Sequence, residues 1–170
     1  MHRNYLLILF SVFFLNCSKS NEKQPPLNYD TEKIAVLDGR KLEDFKNKKT
    51  TKLENNDIVE IESLLKLSVS NYNLNQIKLI PYYQKKYHDI KVDQENVGVI
   101  NLNNYKRQYV PYVNRKGEKV VWVYCTINKH VHKQWKKELL FAAGGGENYF
   151  RVTINLTKKL YQDFSTNGPA

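Results

Sequence analysis

Two long β-type runs in the second half of the chain constrain its fold most strongly. Residues 105–113 and 119–127 are rich in Val and Tyr, and the segment from Asn114 to Gly117 between them is typical of a tight turn. Side chains alternate across a strand, so one face of the second run is aliphatic, formed by Val121, Val123, Cys125 and Ile127. We predict a β-hairpin whose aliphatic face must be covered by another layer.

Several other segments have strand patterns, at 33–37, 97–100, 138–143, 149–156 and 160–165. The alternation is cleanest in the fourth of these, where the inward residues are Phe150, Val152, Ile154 and Leu156. Residues 157–159 form a tight turn into the last segment. We interpret residues 40–52 as a loop and residues 79–96 as irregular structure.

One segment has a convincing helical pattern. Asn56 is a good N-cap, and Asp57 and Glu60 place negative charge in the first turn, where the helix dipole favours it. Apolar residues recur at steps of three and four and form one stripe, made of Ile58, Ile61, Leu64, Leu65 and Val69. Asparagines at 71, 73 and 75 interrupt the pattern, so we predict a helix over about 57–71.

These elements predict an α+β fold. One main helix (about 57–71) packs on an antiparallel β-meander of four to five strands, because the apolar stripe of the helix matches the apolar face of the strands. The element order is similar to that of cystatin-like and PepSY-like folds, an analogy that implies no function. We expect residues 31–170 to form a single domain, a usual size for one core.

The first 30 residues have a different pattern. Arg3 precedes an uncharged run at 5–15, which has the length of a signal-peptide apolar region and is too short to cross a membrane as a helix. This run leads into Cys17, which is followed by Ser18 and a polar stretch. The arrangement resembles the lipobox of bacterial lipoproteins, which implies cleavage before Cys17 and acylation of its thiol. An ordinary secretory signal with an incidental cysteine is the alternative.

We therefore predict a signal peptide at 1–16 and a lipidated Cys17 that begins a tether over residues 17–30. Residues 109–125, together with Trp135-Lys136-Lys137 and the C-terminal 145–170, also resemble a group of small uncharacterised lipoproteins of flavobacteria and other Bacteroidetes. That resemblance implies the bacterial cell envelope and carries no activity. Bacteroidetes lipoproteins that are sent to the cell surface tend to have an acidic run just after the cysteine, and residues 18–23 lack one, which favours a domain that faces the periplasm.

The chain is basic, with 27 Lys+Arg against 17 Asp+Glu and a formal net charge of +10. Loss of residues 1–16 removes one Arg and leaves +9. The lysines are scattered in runs of at most two, and export separates the protein from nucleic acid, so we expect no nucleic-acid partner. The expected partners are the membrane, through the N-terminal lipid, and an envelope protein or a polyanion such as acidic lipid or polysaccharide.

The histidines suggest a metal site. His130 and His132 would point to the same side of a strand, and His88 or Glu138 would supply a third ligand. Flanking lysines oppose the binding of a divalent cation, and the spacing matches no zinc motif. We therefore treat these histidines as weak candidates and expect no metal or other cofactor. Cys125, in an apolar β-pattern, is expected to be a core residue.

The aromatic residues suggest a binding face. Trp122 and Tyr124 share one side of the second strand, and Tyr109 and Tyr112 lie on the neighbouring strand. The same residues are also ordinary cross-strand packing partners. We predict a non-enzymatic, membrane-anchored binding or interaction module, with no catalytic residue assigned. The alternative is a small envelope metal-binding protein or hydrolase that uses the histidines.

Overall fold

The computed structural model describes residues 26–94 and 97–168. The predicted fold class is confirmed: the protein is α+β, with one main helix and a six-stranded, mostly antiparallel sheet. The signal peptide at 1–16, the lipidation site Cys17 and most of the tether over 17–30 lie outside the described residues. Within the described ranges no helix is long and apolar enough to cross a membrane.

The elements occur in the order β1 (Ile34–Val36), β2 (Lys49–Thr50), α1 (Asn55–Lys78), α2 (Ile80–Lys86), β3 (Tyr105–Val113), β4 (Lys119–Ile127), β5 (Tyr149–Asn155) and β6 (Leu160–Thr166). The sheet order is β1-β3-β4-β5-β6, and β2 pairs with β3 beyond the end of β1. The last four strands form the predicted antiparallel meander. β1 instead pairs in parallel with β3, because the intervening helices provide the long crossover that parallel neighbours need.

The predicted hairpin is confirmed. β3 and β4 pair from Tyr105 opposite Ile127 to Val113 opposite Lys119. In the turn, Asn114 Oδ1 accepts hydrogen bonds from two backbone N–H groups, at 2.9 and 3.0 Å. Gly117 has a φ of +78°, a conformation that costs glycine little because it has no Cβ.

Helix α1 covers one face of the sheet. The predicted stripe is buried, and it packs against inward residues of the three central strands, including Val121, Val123, Cys125, Phe150, Val152 and Ile154. Complete burial of a side chain such as Ile61 or Leu65 stabilises the fold by roughly 2 kcal/mol. The prediction that Cys125 is a core residue is confirmed, since its side chain is fully buried.

The second face of the sheet is covered as well. Leu37, Leu42 and Phe45 reach it from the segment of short helical turns that begins directly after β1, and Trp135 and Leu140 reach it from the connection between β4 and β5. The sheet is therefore buried on both sides, by a helix on one and by irregular segments on the other.

The segment at 138–143 is not a strand, contrary to the prediction. The fully buried side chain of Gln108 takes the place of a strand partner. Its Nε2 donates to the carbonyls of Trp135 and Glu138, at 2.5 and 2.6 Å, and its Oε1 accepts from the N–H of Leu140, at 2.8 Å. Within the segment these bonds satisfy the Glu138 carbonyl and the Leu140 N–H, and the segment has no strand geometry.

The main helix is longer than the predicted 57–71. It starts at Asn55, with Glu54 as the N-cap, and the Glu54 N–H donates to the Asp57 carboxylate at 2.6 Å. The asparagines do not end it, because two of them hydrogen-bond to distant groups. The Asn71 amide donates to the Tyr161 hydroxyl at 2.7 Å, and Asn73 pairs with the backbone of Ile100.

The prediction of a strand at 97–100 is also wrong. Asn73 donates from Nδ2 to the carbonyl of Ile100 and accepts at Oδ1 from its N–H, both at 2.8 Å. The Asn73 amide thus binds both the N–H and the carbonyl of Ile100, which in a strand would pair with a neighbouring strand. The segment at 79–96, interpreted as irregular, begins with α2, where Pro81 is tolerated because its missing N–H falls in the first turn.

Candidate functional site

The four aromatic residues of the predicted binding face do not share one side of the sheet. Tyr109 lies opposite Val123 in the hairpin and therefore faces α1, where it is fully buried. Its hydroxyl donates to the Glu62 carboxylate. Burial, and then the negative charge of Glu62, raise the pKa of Tyr109 well above its ordinary value.

Tyr112, Trp122 and Tyr124 do lie together, on the opposite face. The Trp122 and Tyr124 rings stack with centroids 5.4 Å apart, and Phe45 packs on Trp122 and Tyr112 at 5.5 and 5.8 Å. Tyr124 is only 3% exposed, and its hydroxyl accepts from the N–H of Ala142 at 3.3 Å. These aromatic residues are mainly packing partners for the segments that cover this face.

The three candidate histidines are all exposed. The His130 ring stacks on Tyr149 at 5.4 Å, and His132 Nδ1 accepts a hydrogen bond from the Gln134 N–H at 3.1 Å. His88 follows α2, at a different place in the fold. In the part of the chain that the structure describes, no three His, Cys, Asp or Glu side chains form a group that could hold a metal ion.

A polar cluster lies between α1 and the sheet. Arg107 is 5% exposed; one of its terminal nitrogens lies 3.7 Å from the Glu62 carboxylate and the other donates to the Leu102 carbonyl at 3.0 Å. Cys125 lies opposite Arg107 in the hairpin, and burial raises the pKa of its thiol. A buried, protonated thiol is inert. The cluster therefore ties the helix to the sheet.

Two larger concave regions remain. The first is a groove of about 860 Å³ that lies where β1 and β2 diverge along the edge of β3, with Pro111 between them. Charged and polar groups on its rim already pair with one another: Arg40 binds Asp38 at 2.6 Å, and Asn55 accepts from the Asn28 N–H at 2.7 Å. These pairs leave fewer free polar groups for a ligand.

The second is a cavity of about 660 Å³, which we call the tyrosine pocket; its walls include Tyr72, Tyr83, Tyr87, Ile90, Val97 and Glu147. Helices α1 and α2 and the segment after α2 form one side. The turn before β5 and the end of β6 form the other. Its lining combines the three tyrosines and three aliphatic side chains with the polar side chains of Gln76, Glu147, Thr166 and Asn167, a mixture of the kind found in small-molecule sites.

Local contacts hold the tyrosines in place. Tyr72 packs on Phe164, with ring centroids 5.1 Å apart. Tyr83 and Tyr87 lie four residues apart on α2 and its C-terminal end, and their rings stack at 6.3 Å. Gln84 fixes the next segment, since its side chain donates to the Ile90 carbonyl at 3.0 Å and accepts from a neighbouring N–H at 2.8 Å.

Glu147 dominates the electrostatics of the tyrosine pocket. Its backbone carbonyl accepts from the Tyr105 hydroxyl at 2.9 Å. Its side chain lies against Gly98, where a Cβ would come within 3.2 Å of the carboxylate. Burial, and then the charge of Glu147, raise the pKa of both Tyr72 and Tyr105. Over residues 26–94 and 97–168 no cation forms an ion pair with Glu147.

The tyrosine pocket was missed from the sequence because its walls come from segments far apart in the chain. A partial signal was present in the spacing of four between Tyr83 and Tyr87, which places two rings on one helical face. Because residues 79–96 were interpreted as irregular, this spacing did not lead to the prediction of a helix there. Comparison of the chain with protein-family models, curated proteins and solved structures finds no match.

Proposed function

We propose that this protein is a lipid-anchored lipoprotein of the bacterial cell envelope, whose periplasm-facing domain is a non-enzymatic binding module. The anchor is Cys17, and the resemblance to lipoproteins of flavobacteria and other Bacteroidetes supports it. The ligand site is the tyrosine pocket. The partners are thus the membrane, through the lipid, and a small envelope ligand.

The observation that carries the binding function is the tyrosine pocket itself. Its volume of about 660 Å³ falls within the roughly 300–1,000 Å³ of small-molecule sites. Tyr87 and Ile90 line it and are 46% and 59% exposed. Apolar side chains that stay exposed beside a cavity are typical of a surface that a ligand or partner covers.

The tether sets how far this pocket can lie from the membrane. The chain from Cys17 to Pro26 can span at most ~30 Å when fully extended. The domain is therefore held within about one domain diameter of the lipid surface. A binding site so placed samples solutes near the membrane rather than in the bulk periplasm.

The anchor is tested by metabolic labelling with a fatty acid in an expressing bacterium. Wild-type protein should incorporate the label and partition into the detergent phase. The variant Cys17→Ala should do neither, whereas Cys125→Ala, the matched control at the chain's other cysteine, should behave as wild type. Label that persists in Cys17→Ala contradicts the assignment of the anchor.

The pocket is tested by thermal unfolding of the detergent-solubilised lipoprotein with and without the small-molecule fraction of an envelope extract. The extract should raise the unfolding temperature of wild type and of Tyr82→Ala, because Tyr82 is exposed on α2 and does not line the pocket. The rise should be lost in Tyr83→Ala and Tyr87→Ala. An equal rise in all four proteins, or none in wild type, contradicts a ligand site at the pocket.

A further inference from the structure

We infer that the tyrosine pocket selects organic cations, such as a quaternary or primary ammonium group. This inference rests on the proposed function, because it names the ligand class for the same site. The charge of the pocket, its aromatic walls and a carboxylate that has no ion-pair partner among the described residues each support it.

The charge of the lining contrasts with that of the chain. The whole chain carries 27 Lys+Arg against 17 Asp+Glu. Among the described residues that line the pocket, Glu147 is the only one of the types Asp, Glu, Lys, Arg and His. No Lys, Arg or His is among the described residues that line this pocket, so its local field favours a positive ligand.

The aromatic walls supply the second part of a cation site. The face of a tyrosine ring carries partial negative charge and attracts an ammonium group within about 6 Å of the ring centroid. Tyr72, Tyr83 and Tyr87 all line the cavity. The protein already shows this attraction outside the lining, where Lys86 Nζ lies 5.4 Å from the Tyr87 ring centroid.

The carboxylate supplies the third part. Glu147 forms no ion pair with any described residue, and it lines the same cavity as the three tyrosines. A neutral ligand that fills the pocket removes water from this carboxylate and returns no opposite charge, which is costly. A cationic ligand pairs with Glu147 as it displaces the water, so the same geometry favours it.

The test compares two probes of nearly equal shape, choline and its uncharged analogue 3,3-dimethylbutan-1-ol. Binding to the full-length lipoprotein in a neutral detergent is measured by isothermal titration and by perturbation of tyrosine NMR signals. Wild type should bind choline at least tenfold more tightly than the neutral analogue. Glu147→Gln should lose about tenfold in choline affinity and leave the analogue unchanged, whereas Glu138→Gln, at an exposed acid outside the pocket, should match wild type.

Thermal unfolding of each variant shows whether it is folded. If Glu147→Gln unfolds, Tyr87→Leu replaces it, and this variant should weaken choline more than the neutral analogue. Equal affinity of wild type for both probes, or choline binding that survives both substitutions, overturns the cation assignment while the pocket remains a ligand site. Failure of both probes to bind also overturns it, and the extract experiment then decides the proposed function independently.

Discussion

Removal of the Gln108 side-chain amide should detach the connection between β4 and β5, one of the two segments that cover the second face of the sheet. Gln108 is fully buried, and its amide makes three hydrogen bonds to the backbone at residues 135, 138 and 140. The substitution Gln108→Leu keeps a similar volume and removes all three bonds. The two carbonyls and one N–H that lose their partner must then stay unsatisfied or move out to water.

The expected loss of stability follows from the three lost hydrogen bonds and the groups that they leave without a partner. Each lost hydrogen bond costs about 1 kcal/mol, and a polar group left buried without a partner costs about 1–3 kcal/mol. We therefore expect Gln108→Leu to lower the free energy of unfolding by about 3–4 kcal/mol, a large part of the roughly 5–15 kcal/mol of a typical domain. Gln162→Leu is the matched control, because Gln162 is exposed on β6 and should change the stability by less than about 0.5 kcal/mol.

Urea unfolding followed by tryptophan fluorescence measures both effects. The chain has two tryptophans, and both belong to the cluster on the covered face: Trp135 is buried in the covering segment, and Trp122 is half-buried among the side chains of that cluster. Native Gln108→Leu should therefore emit at longer wavelength than wild type, since detachment exposes both rings. A loss below about 1 kcal/mol with an unchanged emission spectrum refutes the role given to Gln108.

Three further results are expected. Hydrogen bonds from Lys158 and two asparagine amides lower the pKa of Glu118 from 4.5 to about 2; its stabilisation is complete above pH 4.5 and is lost as the pH falls towards 2. Urea unfolding across this window should give a flatter pH profile for Glu118→Gln, and parallel profiles would contradict the assignment. Asn73→Ala should cost about 2 kcal/mol, because it removes both hydrogen bonds to Ile100; faster amide exchange in that loop checks it, and unchanged exchange would count against it. Cys125 should react with a thiol reagent only after unfolding, because burial raises its pKa; rapid reaction in native protein would rule out the buried thiol.

Features that depend on neighbours in the chain could be predicted from the sequence. The apolar stripe of α1 and the alternation in β4 and β5 follow from the periods of a helix and a strand, so these elements and their core faces were predicted. The turn from Asn114 to Gly117 has local chemistry and was predicted for the same reason. These local signals were enough for the α+β fold class.

Features that depend on distant partners could not be predicted from the sequence. An asparagine ends a helix when its amide bonds locally, and Asn73 instead bonds to Ile100, which no local pattern reveals. Gln108 likewise pairs with a segment that has a strand pattern and so keeps it from becoming a strand. Side-chain amides can replace backbone partners, and only the folded chain shows where they do so.

By itself, the sequence determined the presence and buried face of the main helix, the hairpin and the burial of Cys125, since these follow from local period and turn chemistry. Only the tertiary structure decided that Tyr109 faces α1 and that irregular segments cover Trp122 and Tyr124. It also brought Tyr72, the tyrosines of α2 and Glu147 around one cavity. Strand register and the docking of loops place such residues together, and both are set by contacts between segments that lie far apart in the chain.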